Sequence, residues 1–374
     1  MPSGAIPTFG MRHLLLLCGF YAAFAVAQSD DCGVAQSQIA YQNRHFELTG
    51  ISAAPDGRLF VNFPRWSDRY LNAVIVHTAG AEDQPYPDFE WNRWDGKPQS
   101  AATHFVCVQA VVVDRADTLW VVDAAAPLLT SPVPHGPKLV RIDLSTNKVS
   151  QVFPMESVTL PDSYLNDIRI DNTRNFAYLT DSGHGGIVVL DITTGEAWRK
   201  LDGNHSVLGN PNIPVIVHGF ELKQPDGKPA IFNSDSLELS KDGDTLYYKP
   251  INSDTLWSVP TFLLRDQSAD AASGVAAAVT NLFPTDGIWL DSRSRLYFSD
   301  PEHNAVRRRD DKGHLETIFQ SSALDWPDTF TEDAAGNIYI SASRLDEQPR
   351  YHSGYSARHG RPYLVFRLDG LDAH

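Results

Sequence analysis

Along this chain, short runs of alternating apolar and polar residues come in pairs. Each pair is joined by a turn rich in Asp, Gly or Asn, and no long segment carries helical spacing. Six pairs align: "TGISAAPDGRLFV" from Thr49, "QAVVVDRADTLWV" from Gln109, "NDIRIDNTRNFAYL" from Asn166, "DSLELSKDGDTLYY" from Asp235, "DGIWLDSRSRLYF" from Asp286 and "DTFTEDAAGNIYI" from Asp328. The third residues of these segments, Ile51, Val111, Ile168, Leu237, Ile288 and Phe330, are separated by between 42 and 69 positions. A four-stranded propeller blade occupies roughly 40 to 50 residues, so the pattern predicts one blade per repeat, with insertions in the early blades. An open β-sandwich also shows many short strands. Six copies in phase favour an all-β six-bladed β-propeller.

Second hairpins follow the first. "GGIVVLDITTGEAWRKL" after Asp181 and "DTLWSVPTFLL" after Ser253 read as the outer strands of blades three and four. Ring closure by N- and C-terminal strands is expected, with "SQIAYQ" near residue 40 beside "YLVFRL" near residue 366 in the last blade. A chain of 374 residues is then a leader, residues 1–27, and a single propeller domain, residues 28–374.

The leader reading rests on Arg12 and His13 ahead of the apolar run Leu14 to Phe24. Ala25-Val26-Ala27 then forms a small-x-small cleavage site. The run is short for a membrane span, and Cys18 lacks the small residue before it that lipidation requires. The mature chain is expected to begin near Gln28, to be secreted (extracellular or periplasmic), and to have no stable membrane insertion after cleavage. Cleavage leaves Cys32 and Cys107, which an oxidising compartment could join; two unbridged thiols are the other reading.

Charge narrows the partners. With 31 Lys and Arg against 46 Asp and Glu, the formal charge of -15 repels nucleic acid and anionic lipid. The run Arg307, Arg308, Arg309 lies within one hairpin and reads as a solvated edge. No G-x-S-x-G, H-E-x-x-H or C-x-x-C motif is present.

Candidate chemistry lies at the head of each repeat. The aligned column is Thr49, Gln109, Asn166, Asp235, Asp286 and Asp328, followed by Gly50, Ala110, Asp167, Ser236, Gly287 and Thr329. First strands of propeller blades are innermost, so these side chains should converge at the channel mouth. Converging carboxylates repel, and must bind a cation, hold protons or stay hydrated. Ca²⁺ on Asp286, Asp235 and Asn166 is one guest, since it takes carboxylate and amide oxygens in loose geometry; local bonding to loop amides is the plainer role for any single member. Asp56, Asp114, Asp171, Asp291 and Asp333 sit in the hairpin turns and read as turn formers. In "DSGHGG", His184 either lines a ligand pocket or sits on a surface loop. His104 and His218 have no partner at ligand spacing. Trp120, Trp257 and Trp289, at strand ends, read as packing between blades.

"YLNDIRID" with "AYLTDSGHGGIVVLDITTGEAWRKL", and "PTDGIWLDSRSRLYFSD" further on, resemble the major royal jelly protein and yellow family from about residue 45 to 345. Thr180 stands where the family's loop has its first Ser, with Asp181, Ser182 and Gly183 intact. The resemblance implies a secreted six-bladed propeller that binds a small organic molecule, an amine or aromatic, or acts as a dopachrome tautomerase. Asp286 would then be the catalytic candidate and Asn166, Asp167, Asp235, Asp328 and His184 the ligand-binding ones. A more distant similarity is to gluconolactonase and regucalcin, whose channel metal is held by a Glu, an Asn and an Asp. Asp286 matches that Asp and Asp235 takes the place of the Asn. Asn166 matches a substrate-side motif, and Thr49 stands where the Glu should be, which weakens a metal-dependent lactonase mechanism. A third class, an extracellular protein-interaction scaffold, stays open.

Overall fold

The computed structural model describes residues 1, 35–310, 312–351, 361–369 and 371. The leader, its cleavage site and Cys32 lie outside the described residues. Six four-stranded antiparallel sheets form the fold. Their innermost strands are Ile51–Ala53, Val108–Val113, Leu165–Asp171, Ser234–Leu239, Ile288–Leu290 and Pro327–Glu332. Each of these touches the innermost strand of the blade before and after it, and the sixth touches the first, so they close around one axis.

Closure follows the predicted latch. Gln36–Asn43 is the outer strand of blade six and pairs antiparallel with Tyr363–Asp369, Gln38 opposite Arg367 and Tyr41 opposite Val365. Blade three also follows the predicted strands, with Ile187–Asp191 and Ala197–Lys200 outside. Blade four departs from expectation. "TFLLR" is a short helix, Thr261–Arg265, and the outer strand is Ala276–Val279. Pro260 occupies the helix N-cap, where its missing N–H breaks no helical bond and its ring halts the strand. The longest spacing, between Ile168 and Leu237, is filled by a connection that carries a small hairpin, Ile216–Val217 with Phe220–Glu221.

The core lies between blades. One cluster joins Val108, Val111 and Leu119 of blade two to Phe60 and Val74 of blade one. Another joins Tyr178 and Val189 of blade three to Leu237 and Tyr248 of blade four, and equivalent clusters fill the remaining gaps. Each fully buried Val, Leu or Phe contributes roughly 1.5–3 kcal/mol, so no blade is stable without its neighbours. Trp120, Trp257 and Trp289 sit in these clusters or against them, as read from the sequence. The five turn aspartates each accept the backbone N–H two residues on, from Arg58, Ala116, Thr173, Arg293 and Ala335.

A second repeat device anchors the loops around the channel mouth. The second strands of blades two, three and five end in Asp123, Asp181 and Asp300. Each is buried and paired to a base from its own blade: Lys138 at 2.6 Å, Arg199 at 2.9 Å and Arg307 at 2.9 Å. Asp181 also accepts the N–H groups of Tyr164, Gly183 and His184, which explains the "TDSGH" loop structurally.

Candidate functional site at the channel mouth

The column residues converge because the inner strands are irregular where they begin. Pairing with the second strand skips Gln109, Asn166 and Asp167, Asp235, and Asp328 and Thr329. Such bulges re-aim a side chain, here toward the axis. Hydroxyls on the second strands satisfy the freed N–H groups. Thr180 accepts from Asp167, Ser299 from Asp286 and Gly287, and Ser341 from Thr329. Thr180 and Ser341 then donate to the backbone carbonyls of Asp235 and Thr49 in the following blades.

Gly287 fixes the spacing. A Cβ there would stand 1.8 Å from the carbonyl oxygen of Asp328, so only glycine lets blade five approach blade six this closely. The residue before it, Asp286, is thereby held against the acids of its neighbours.

Gln109, Asn166, Asp235, Asp286 and Asp328 line one cavity of about 600 Å³. Thr49 does not line it; its hydroxyl donates to the carbonyl of Gln109 at 3.0 Å and accepts from Asn62 at 2.9 Å. All three acids are buried, with 6–8 % of their surface exposed. Burial raises each well above the usual carboxylate range. The charge of Asp328 adds to the rise at Asp235, that of Asp235 at Asp286, and that of Asp286 at Asp328. Asp235 and Asp286 also lie close enough to hydrogen-bond when one is protonated, a contact that lowers Asp235 and raises Asp286.

The polar partners are few and directional. Asn166 donates to Asp235 at 2.8 Å and to Ser182 at 3.0 Å, while its own oxygen accepts from Gln109 at 3.2 Å. Tyr164 donates to Gln109 and accepts from Trp66. Trp326 donates to Asp286 at 2.5 Å, and Thr329 to Asp328 at 2.9 Å. Behind Asp235, the buried Lys249 is capped by the carbonyls of Pro250, Ile251 and Ser253. Burial pushes its ammonium down to about 7, against the opposing charges of Asp254 and Asp235. Trp66, Tyr164, Phe232, Leu345 and Tyr351 wall the cavity, with Phe232 and Tyr351 packed at 5.5 Å between ring centroids.

Two expected ligand residues are placed elsewhere. Asp167 turns to Arg169 at 2.9 Å, and Arg169 also binds Glu238 at 2.5 Å. Burial pushes Glu238 up to about 7 against the opposing guanidinium. Arg169 and Glu238 line a second cavity of about 620 Å³ with Trp289 and the hairpin turns. His184 does not line the first cavity; its ring faces Asp162 at 3.0 Å. Among the described residues Cys107 has no disulfide partner; it has no exposed surface, burial chiefly pushes its thiol up to about 12, and its sulfur lies 3.9 Å from the Tyr164 hydroxyl.

The set expected to hold Ca²⁺ does not present a calcium cage, which needs six to eight oxygens. Asn166 offers its N–H side to Asp235 and Asp286 is engaged by Trp326, while Thr49, outside that set, supplies no carboxylate. Among the described residues, the group of three acids and imidazoles whose donor atoms all lie within 4.8 Å is His218, Asp325 and Asp346. Sequence spacing gave no sign of this, because the three are brought together from distant segments.

The walls were also missed, although a weak signal existed. An aromatic residue stands two or three positions ahead of the column residue in three repeats: Tyr164, Phe232 and Trp326.

An acidic floor under aromatic walls thus lies at the mouth of a closed six-bladed ring, the architecture of a β-propeller. The major royal jelly protein profile matches residues 106–361, and the chain belongs to that family. It is 27 % identical over 325 residues to protein yellow of Drosophila madeirensis, covering 77 % of this chain and 54 % of that protein. The chain thus spans about half the length of the curated relatives it matches. Among solved structures it resembles a calcium-binding protein, regucalcin, from Agrobacterium tumefaciens. The TM-score is 0.55 at 14 % identity, covering 90 % of this chain and 94 % of the other. A gluconolactonase from Xanthomonas campestris is similar with TM-score 0.52 at 12 % identity, covering 89 % of each. These likenesses concern the fold. No helix among the described residues is long and apolar enough to cross a membrane.

Proposed function

We propose that this chain is an exported propeller that binds a small protonated amine with an aromatic body at the channel mouth. The observation that carries the reading is the buried trio Asp235, Asp286 and Asp328, crowded enough to hold protons and roofed by aromatic rings. An ammonium entering this floor replaces a proton and lets a carboxylate ionise, and the aromatic faces of Trp66, Phe232 and Tyr351 suit both its charge and its body. The cavity lies within the size range of small-molecule sites.

The closeness of the Asp235 and Asp286 carboxyl groups supports a second reading, proton transfer on the bound molecule. One carboxyl donates while its ionised neighbour accepts, which is what a tautomerase requires. The lactonase reading has less support, because Thr49 is locked to Gln109 and Asn62 and supplies no carboxylate.

Calorimetry with tryptamine and with indole-3-propionate separates the possibilities. The amine should bind with proton release, and Asp286→Asn should weaken it by about 1.5–3 kcal/mol, the scale of a charged hydrogen bond. Equal binding of the acid, or no effect of the substitution, defeats the amine reading.

A further inference from the structure

His218, read from the sequence as lacking any partner at ligand spacing, sits at the turn of the hairpin Ile216–Val217 and Phe220–Glu221, with φ of 51° followed by 81° at Gly219. That backbone is the tight turn of a two-residue β-hairpin. Val217 packs in the same cluster as Trp326, Leu345 and Tyr351, so the hairpin lies against the wall of the channel mouth. There the imidazole Nε2 meets Asp325 Oδ1 at 2.9 Å and Asp346 Oδ2 at 3.8 Å.

Asp346 is the second and independent observation. Its residue is 2 % exposed, and among the described residues neither carboxylate oxygen has a hydrogen-bond partner. A buried carboxylate without a donor costs several kcal/mol unless a proton or a cation compensates it. The other oxygen of Asp325 is held by Arg361, which also pairs with Glu347 at 3.0 Å. Asp325 therefore turns Oδ1 to His218, its carboxylate oriented by an outer partner in the way that metal-ligating carboxylates are.

We propose that His218, Asp325 and Asp346 form a site for a divalent transition-metal cation of the zinc class, fastening the hairpin to the blade-six loops beside the channel mouth. One imidazole nitrogen and two carboxylate oxygens suit zinc, bound at about 2.0–2.2 Å. Tetrahedral ligands at that distance lie roughly 3.3 Å apart, between the two separations seen here. Asp325 and Asp346 flank Trp326 and Leu345, so an ion at this site also steadies the donor to Asp286 and part of the cavity wall. This holds whatever the channel binds.

The test uses the full purified chain, stripped with a chelator and titrated with Zn²⁺ by calorimetry and with Co²⁺ by visible absorption. One equivalent should bind and raise Tm, and cobalt should give the intense bands of four-coordinate geometry. His218→Ala and the near-isosteric Asp346→Asn should each weaken Zn²⁺ by more than about a hundredfold, beyond the 10–100-fold effect of outer-shell losses. If either variant fails to fold, the wild-type cobalt spectrum decides. Weak six-coordinate bands, absence of uptake, unchanged binding in Asp346→Asn, or loss of binding in Asp286→Asn instead would each overturn the proposal.

Discussion

The indole nitrogen of Trp326 donates to Oδ2 of Asp286 across 2.5 Å, joining the entrance of blade six to that of blade five. Trp326 has no exposed surface and holds φ at 53°, unusual for a large side chain. The bond favours the ionised form of a carboxyl that burial and Asp235 otherwise drive upward. Trp326→Phe removes the donor and keeps the ring. It should destabilise the protein by about 1–3 kcal/mol in urea melts, the cost of leaving a buried acceptor unsatisfied. The onset of amine binding should also move to higher pH, because Asp286 then ionises later. A stability loss with an unmoved binding profile would restrict Trp326 to packing.

The acidic floor should make the fold less stable as pH rises. In the unfolded chain an aspartate ionises near roughly pH 4. In the folded chain Asp235, Asp286 and Asp328 hold their protons to well above that value, chiefly through burial. Between the two limits the folded state binds more protons than the unfolded state, so stability falls with increasing pH. Asp286→Asn relieves the repulsion. Its Tm should match wild type near pH 4 and exceed it at pH 8; a difference independent of pH would mean the carboxyl is unperturbed.

The ring was legible because the hairpin pattern repeats in phase and a slip of one residue would expose a whole face, as at Val111 against Val121 or Ile288 against Phe298. The convergence of Asp235, Asp286 and Asp328 followed from the same register. What the pattern could not give was the direction of neighbouring side chains. Asp167 differs from Asn166 by one position, yet it turns to Arg169, because alternation and the bulge send consecutive residues different ways. The cluster of His218, Asp325 and Asp346 was invisible for another reason. It is assembled by an insertion outside the repeat, and no periodicity constrains where an insertion docks.

Gly287→Ala tests the close approach of blades five and six. The added methyl would meet the Asp328 carbonyl, which is backbone and cannot rotate away. Displacing the strand should cost about 1–3 kcal/mol, the usual penalty for overpacking, and should separate Asp286 from Asp328. Thermal melts and tryptamine calorimetry would both register the change. Wild-type stability in this variant would show that the inner strands have slack.

Arg169 offers a sharper electrostatic test, because it lies between a half-buried carboxylate, Asp167, and a buried one, Glu238, at 2.9 and 2.5 Å. Removing one partner from such a network leaves uncompensated charge, which typically costs about 3–5 kcal/mol. Arg169→Met should show a deficit of this size in urea melts at pH 8. Glu238 is already pushed up to about 7 with the guanidinium present, and it rises further without it. Folded Glu238 then keeps its proton where the unfolded chain has lost it, so the variant loses stability progressively as pH climbs from about 5 and is penalised least at acid pH. Adding Glu238→Gln to Arg169→Met should recover part of the loss at pH 8 and little at pH 5. A deficit equal at both pH values would place the role of Arg169 in packing over Trp289, whose ring lies 5.6 Å from its guanidinium, and remove charge compensation from the account.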